Sequence, residues 1–444
     1  MTIELGEVQP AGFAPDDSVE PGFDRRLLRK MGLAAVTALC VLTVTGSQRP
    51  EPQGVRLLWS IPVADSDGTT ITDDAVYVTR TAGADGRVTA YDLATGAQRW
   101  SRTTGSRGGY LQEAPGTGLL LMPGGTRSVP VDNGGDLPGV NEFVTSTIAV
   151  EAGTGATRWT VPGDVQAVAA GSVLLADYTD QGAIERFRLV RLSDHGTVWT
   201  RDFTDPQGFA IGLVGDQPDK VITVSGAGEI VVSRFADGTT LAAGRIPWVR
   251  PEPEDGVFND LMPMGDYLLV NRSRSDTVGM TVYRLDTLAE VWRHESLGGY
   301  PFACGTAICL NQGNQIIAYD PSTGAARWQL AGGFSAWPPT ADRVILESVQ
   351  QDGRLRLADA HTGRLIGEPA LGNTIWNMHP ERELLLLQPT TTPPDLTSVT
   401  HWDLDTGRVS LLGAIPRLTE YRCQAVDRYL TCTRGTTFEV TAVG

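Results

Sequence analysis

One phrase of this chain returns almost unchanged far along the sequence. The stretch Ala90–Trp100 reads AYDLATGAQRW, and the stretch Ala318–Trp328 reads AYDPSTGAARW. Weaker copies lie between and beyond these two, at a mean spacing of about 44 residues. Self-similarity at this period is typical of repeat folds. The chain is therefore predicted to consist of tandem copies of one structural unit.

Each copy predicts a β-hairpin. A run of alternating or apolar residues indicates a strand with one buried face, and it ends near an acidic residue. Thr-Gly then provides a tight turn, in which glycine accepts a positive φ, and a Trp or aliphatic residue follows on the next strand. The fifth copy is read with Ala289 in place of the glycine. The turn glycines of the other copies are Gly96, Gly155, Gly196, Gly238, Gly324, Gly363 and Gly407.

The repeat length fits a blade of four short strands, so the predicted fold is an all-β propeller. Eight blades are the preferred number. A strict count gives nine, because eight hairpins are followed by one composite blade, and the weakest copy is Phe209–Ile246. In the composite blade, the strand around Trp59 pairs with three strands near the carboxyl terminus. This pairing would close the propeller and remove two exposed sheet edges.

The repeated phrase resembles the pyrroloquinoline-quinone-like (PQQ-like) propeller repeat over roughly Trp59 to Val443. This family includes quinoprotein alcohol dehydrogenases. It also includes non-enzymatic relatives, such as the propeller lipoprotein of the machine that assembles outer-membrane β-barrels. The large aromatic side chains of the repeat are expected to pack between blades rather than to bind a ligand. These structural tryptophans are Trp59, Trp100, Trp159, Trp199, Trp292 and Trp328.

Signals for catalysis are sparse. The resemblance implies that a quinoprotein dehydrogenase would carry an adjacent Cys-Cys pair and a calcium-binding set of Glu, Asn and Asp. No two cysteines here are adjacent, and no such set maps onto this chain. The histidines are scattered singly, without a metal-binding or nucleophile motif. We therefore expect a non-catalytic binding scaffold without cofactor or metal. A PQQ- and calcium-dependent oxidoreductase is the alternative, and a sensor is a further one.

The amino-terminal region predicts a membrane anchor. Residues 1–26 are expected to form a disordered cytoplasmic tail, residues 27–46 a transmembrane helix, residues 47–54 a linker and residues 55–444 the propeller. A helix over residues 27–46 would span ~30 Å, and the basic cluster at its amino-terminal end, residues 25–30, favours a cytoplasmic amino terminus. A cleaved signal peptide is the alternative. Either interpretation places the propeller outside the cytoplasm, and the anchor makes it a single-pass protein of the cell membrane.

Four cysteines beyond the apolar run fit an exported protein. They allow three disulfide connectivities. In the repeat frame, Cys304 and Cys309 fall on the first two strands of one unit, and Cys423 and Cys432 fall on the first two strands of another. This favours local pairing within each hairpin over a zinc site, since no histidine lies close in sequence.

The chain carries a net charge of −16, which argues against nucleic acid as a partner. In a four-stranded antiparallel blade, the loop between the second and third strands and the connection between blades emerge on one face. All the long loops fall there: Ser101–Pro115, Pro123–Val144, Pro247–Asn259 and Pro389–Val399. We call this the long-loop face, and the opposite one, with the Thr-Gly turns, the turn face. Loops elaborated on a rigid scaffold are where binding usually resides.

The long-loop face is therefore expected to bind a protein or a cell-envelope polymer. The candidate partner-binding residues are Arg107, Tyr110, Asp132, Asp136, Trp248, Arg250 and Glu254.

Overall fold

The structure is a computed structural model. It describes residues 54–444 apart from 83–84, 107–109, 132–138, 251–256, 275–276, 296–300, 333, 349–351, 378–381 and 421. Within these residues the regular secondary structure is β-strand, and no helix occurs. The alternating burial of strands such as Thr157–Pro162 agrees with the period of two on which the strand prediction depends.

The strands form nine sheets, which we number as blades in chain order. The first strand, β1 (Arg56–Pro62), belongs to blade 9. Blade 1 consists of β2 (Gly68–Ile71), β3 (Ala75–Ala82), β4 (Asp85–Asp92) and β5 (Gln98–Thr104). Blade 2 consists of β6 (Gln112–Ala114), β7 (Leu119–Val131), β8 (Gly139–Glu151) and β9 (Thr157–Pro162). Blade 3 consists of β10 (Asp164–Ala169), β11 (Ser172–Tyr178), β12 (Ile184–Arg191) and β13 (Thr197–Asp202).

Blade 4 consists of β14 (Pro206–Val214), β15 (Gln217–Ser225), β16 (Glu229–Arg234) and β17 (Thr240–Arg245). Blade 5 consists of β18 (Val257–Met264), β19 (Tyr267–Arg274), β20 (Thr277–Arg284) and β21 (Glu290–His294). Blade 6 consists of β22 (Pro301–Cys304), β23 (Ala307–Gln312), β24 (Gln315–Tyr319) and β25 (Ala326–Ala331).

Blade 7 consists of β26 (Phe334–Thr340), β27 (Arg343–Ser348), β28 (Arg354–Asp359) and β29 (Leu365–Leu371). The last strands are β30 (Asn373–Thr374), β31 (Trp376–Asn377), β32 (Glu383–Pro389), β33 (Leu396–Asp403), β34 (Val409–Pro416), β35 (Arg422–Val426), β36 (Tyr429–Arg434) and β37 (Thr437–Ala442). Blade 8 contains β30, β32, β33 and β34, and blade 9 contains β35, β36, β37 and β1, with β31 added beside β35.

Blade 9 is built from both ends of the described chain. Strand β1 pairs antiparallel with β37, so that Arg56 lies opposite Ala442 and Pro62 lies opposite Thr437. Since β37 ends on the turn face, β1 starts on that face and ends on the long-loop face. Blade 9 also packs against blade 1, because one hydrophobic cluster contains Phe438 and Val440 together with Val78.

The preferred number of eight blades is wrong, and the alternative of nine agrees with the described residues. The weakest copy, Phe209–Ile246, forms a complete antiparallel sheet of its own, β14 to β17. Its departures from the repeated phrase affect the hairpin turn and the docking residue. They do not affect the alternation of the strands, since Ile222, Val224 and Ile230 remain buried.

The core lies between blades rather than within each sheet. In one cluster, Leu121 and Trp159 from blade 2 pack against Val173 and Leu175 from blade 3. A flat sheet has two faces to cover, so each blade buries its faces against the blades before and after it. Each blade therefore depends on its neighbours for stability.

The six repeat tryptophans join consecutive blades by the same contact. Each ring nitrogen donates a hydrogen bond to a carbonyl in the third-to-fourth-strand turn of the following blade. The acceptors of Trp59, Trp100, Trp159, Trp199, Trp292 and Trp328 are Leu93, Ala152, Leu192, Phe235, Pro321 and Ala360, at 2.8–3.1 Å. In five of these turns, the glycine lies against the ring. A Cβ at Gly324 would come within 2.8 Å of Trp292.

At two turns, the structure differs from the predicted alignment of the repeats. The residue with positive φ is His195 in blade 3 and Leu288 in blade 5, at φ 50° and 57°. These residues, rather than Gly196 and Ala289, occupy the place of Gly96. The amide of Leu288 donates to the carbonyl of Arg284, as that of Gly96 donates to Asp92. The third hairpin is therefore of normal length.

The predicted disulfides are confirmed. Cys304 bonds to Cys309 across β22 and β23, and Cys423 bonds to Cys432 across β35 and β36. Each bond joins the first two strands of a blade, as the repeat frame predicted.

The predicted tail, transmembrane helix and all but the last residue of the predicted linker lie outside the described residues and stay predictions. Within the described part of the chain, no helix is long and apolar enough to cross a membrane.

Candidate interaction face

The β-meander of each blade determines which loops share a face. Consecutive strands are antiparallel neighbours, so the second-to-third-strand loops and the connections between blades leave the sheets on one side. The third-to-fourth-strand turns on the opposite side are short, and five of the eight carry Thr-Gly.

The largest departure from the repeat is an arm on blade 2, formed by the ends of β7 and β8. Both strands are 13 residues long. Their pairing continues from Thr126 opposite Val144 to Val131 opposite Gly139. The partner strands β6 and β9 do not extend so far, since β9 pairs only as far as Ser146. The arm is thus a two-stranded ribbon beyond the sheet.

The arm lies against the second-to-third-strand loop of blade 3. The Arg127 guanidinium donates to Asp180 at 2.7 Å and to the Thr179 carbonyl. Phe143, directly opposite Arg127 in the ribbon, packs its ring 5.2 Å from that of Tyr178. A Cβ at Gly182 would come within 2.2 Å of Phe143, so only glycine permits this approach. The arm is therefore braced on blade 3 by two side chains of one cross-strand pair.

Burial raises the pKa of two groups beside the arm. The pKa of Asp164 is raised above its usual range because its carboxyl is withdrawn from water. Burial also raises the pKa of Tyr178 to about 12, with a further contribution from Asp164. The Gln166 amide donates to both side chains, at 3.2 and 3.3 Å. These hydrogen bonds join the start of β10 to Tyr178 of β11.

An open cavity of about 310 Å³ lies on the same face between blades 3 and 4. Phe187 is fully buried, and the half-buried Phe203 and Phe209 meet it edge-on at centroid distances of 4.9 and 5.1 Å. Ala183 and Thr223 complete the wall, and no charged residue lines the cavity. The cavity is therefore an aromatic pocket that opens to solvent.

Two ion pairs lie beside this cavity. Arg250 pairs with Asp205, and Arg186 pairs with Asp202. The first pair connects the segment after blade 4 to the segment after blade 3. Such exposed pairs add little stability.

The predicted contact residues differ in their surroundings. Tyr110 is 96 % exposed, whereas Trp248 is half-buried and packs against the core between blades 4 and 5. The Trp248 ring nitrogen is buried without a hydrogen-bond acceptor. Arg250 is exposed and ion-paired, as described above. Arg107, Asp132, Asp136 and Glu254 lie outside the described residues.

Sequence reasoning missed the aromatic cavity. Phe203 lies in the short connection between blades 3 and 4, and Phe209 lies in β14 just after it, so the sequence places these two rings close together. It does not show the third ring, Phe187 in β12, which meets both of them only in the folded protein.

Among the described residues, no group of three or more His, Cys, Asp or Glu side chains is placed to hold a metal ion.

The nine sheets and the repeated docking contacts define a β-propeller protein. The family model described as "Outer membrane protein assembly factor BamB" matches residues 279–395, just over a quarter of the chain, from blade 5 to blade 8. Over these blades the chain resembles that assembly factor, and the predicted resemblance to the PQQ-like propeller repeat is confirmed. No curated protein matches the sequence.

Solved structures with a similar chain path are numerous. One is BamB from Moraxella catarrhalis, at 12 % identity and a TM-score of 0.43, covering 87 % of this chain and 99 % of that one. The computationally designed Ika8 protein gives 14 % identity and a TM-score of 0.43, covering 87 % and 100 %. A eukaryotic initiation factor gives 11 % identity and a TM-score of 0.50, covering 82 % and 91 %. Identities this low compare folds alone.

Proposed function

We propose that the chain is a non-catalytic scaffold that binds a protein partner through its long-loop face. The observation that carries this proposal is the arm of β7 and β8, which extends beyond its sheet and is braced on blade 3 by Arg127 and Phe143. Rigid, exposed elaboration of one face is typical of binding sites on repeat scaffolds. The family match to an assembly factor supports a role in binding rather than in chemistry.

The propeller is proposed to lie outside the cytoplasm, anchored by residues 27–46. The two disulfides support this location, because structural disulfides persist in oxidising compartments and are rare in the cytosol. Labelling denatured protein with a thiol-reactive polyethylene glycol tests the redox state. We expect Cys40 alone to react before reduction and all five cysteines to react after it. Labelling of more than one cysteine before reduction would contradict an oxidised, exported propeller.

The nine blades are further proposed to form a closed ring. The pairing of β1 with β37 supports this, as does the hydrogen bond from Trp59 of β1 to the Leu93 carbonyl in blade 1. Closure leaves no blade with an uncovered face, which accounts for the absence of a capping element among the described residues.

Site-specific photo-cross-linking tests the binding face. A photoreactive phenylalanine analogue replaces Tyr110 or Val140 on the long-loop face, or Val214 on the turn face. All three side chains are well exposed, at 96 %, 58 % and 66 %. We expect one discrete partner adduct in intact cells from Tyr110 or Val140 and none from Val214. Adducts from Val214 alone, or no adduct from either long-loop position, would contradict the proposal.

A further inference from the structure

The cavity between blades 3 and 4 has the form of a pocket for a single side chain. Its volume of about 310 Å³ lies at the lower end of the range for small-molecule sites. Phe187 forms the floor, and Phe203 and Phe209 stand edge-on to it as walls. Aromatic rings pack well in such edge-to-face arrangements, so a further ring can join the cluster.

The electrostatics of the cavity favour an uncharged occupant. None of the lining residues carries a charge, and the nearest ion pairs, Arg250 with Asp205 and Arg186 with Asp202, are already satisfied within the chain. A charged side chain would lose its hydration inside the cavity, whose lining offers no ion-pair partner. An aromatic or large aliphatic side chain would instead remove apolar surface from water on both partners.

The cavity is also open to solvent, and one of its walls is held in place by the arm. It opens on the long-loop face, and Ala183 at its edge is exposed. Its wall includes the loop of blade 3 on which Phe143 of the arm is seated, through Gly182. Half-open apolar pockets framed by satisfied polar groups are typical of the places where interfaces bury an aromatic anchor residue.

We propose that this cavity binds one uncharged aromatic side chain, which a partner protein projects into the long-loop face. The inference rests on the proposed binding function and assigns that function a specific contact. The anchor is expected to enter between Phe203 and Phe209 and to contact Phe187.

The probe is N-acetyl-4-fluoro-phenylalaninamide, titrated into the full-length protein and followed by ¹⁹F NMR. We expect saturable binding with a dissociation constant of about 1 mM, typical of a ligand of this size. Substituting Ala183→Trp fills the mouth of the cavity and should weaken binding at least tenfold. The matched control is Ala227→Trp, which adds the same side chain to the corresponding loop of blade 4, outside the cavity, and should leave binding unchanged.

Three results of the titration would overturn the inference. The first is the absence of saturable binding at probe concentrations up to 20-fold above the expected dissociation constant. The second is equal weakening of probe binding by both substitutions. The third is binding of N-acetyl-lysinamide as tight as that of the aromatic probe. A concentration-dependent dimer that Ala183→Trp abolishes would assign the cavity to a second copy of this chain and also overturn it. Since no partner is present in this assay, its failure leaves the cross-linking result on the long-loop face intact.

Discussion

At the scale of single residues, the conserved positions of the repeat form the contacts between consecutive blades. In the four turns that begin with an aspartate, the carboxylate accepts hydrogen bonds from the turn itself, as Asp92 does from Thr95. The glycine takes a positive φ and leaves room for the tryptophan of the preceding blade. Blade 4 has Ala242 at the place of that tryptophan, opposite Val232, and the following turn accommodates Leu288 in the glycine position. The two positions therefore depend on each other.

Replacing a turn glycine should destabilise the propeller. In Gly324→Ala, the left-handed backbone costs about 1–2 kcal/mol, and the new Cβ would lie 2.8 Å from the Trp292 ring. In His195→Gly, the same backbone conformation becomes unstrained, so we expect a gain of up to about 1 kcal/mol. Urea unfolding measures both changes. Equal signs for the two substitutions would contradict this account of the turn.

The turn carboxylates predict sensitivity to acid. Backbone and side-chain hydrogen bonds from Thr239, with Arg234, lower the pKa of Asp237 to about 2, and bonds from Ser322 and Arg327 lower that of Asp320. A lowered pKa in the folded state contributes stability above the ordinary value near 4, and this is lost as pH falls toward 2. Buried Asp164 has a raised pKa and opposes the trend.

We therefore expect the urea midpoint to fall between pH 4 and pH 2. In Asp237→Asn, the loss of stability relative to the unmodified protein should be largest near neutral pH and should shrink as pH approaches 2. A difference that stays constant across this range would exclude the contribution of the Asp237 carboxylate.

At the scale of elements, the arm of β7 and β8 is the part that departs most from the repeat. A two-stranded ribbon is marginally stable alone, so its order depends on contacts outside its own pairing. Those contacts are the hydrogen bonds of Arg127 to the blade 3 loop and the packing of Phe143 on Tyr178. Because the Asp180 side chain is 92 % exposed, the aromatic packing should contribute more than the ion pair.

Removing the aromatic contact should loosen the arm without unfolding the propeller. In Phe143→Ala, we expect faster amide hydrogen exchange in residues 139–145, with little change elsewhere, because the sheet below is held by its own neighbours. Val140→Ala on the same strand is the control, since the Val140 side chain is 58 % exposed. Unchanged exchange in Phe143→Ala would show that the arm is held by other contacts.

At the scale of the whole molecule, six of the nine junctions between blades carry the same tryptophan contact. The contact of Trp59 with blade 1 has the same form as that of Trp328 with blade 7, since both donate to a turn carbonyl and both cover a glycine. If the ring is closed, the junction between blades 9 and 1 should be as important for stability as any other.

Two matched substitutions measure that junction. Trp59→Ala and Trp328→Ala should each lower the free energy of unfolding by about 3 kcal/mol, because each removes a docked ring and its hydrogen bond. Thermal and urea unfolding are the measurements. Closure would be contradicted if Trp59→Ala were nearly neutral while Trp328→Ala was strongly destabilising.

The sequence predicted the parts of this molecule that repeat. Strand alternation, the turn motif and the cysteine positions identified the blades and both disulfides, because each depends on local residue order. The number of blades was harder to predict, because Phe209–Ile246 keeps its buried strand positions while losing its docking tryptophan. The cavity could not be predicted, since it forms only when Phe187 and Phe209 come together from neighbouring blades.

Strand β1 begins at the turn face, and β37 ends there. A purification tag or a chip linker fused before Gly54 or after Gly444 would therefore hold the propeller by its turn face. The arm and the aromatic cavity would be left open to dissolved binding partners. Immobilised protein should accordingly suit surface-based affinity screening, whereas coupling through exposed side chains such as Tyr110 would obstruct the region under study.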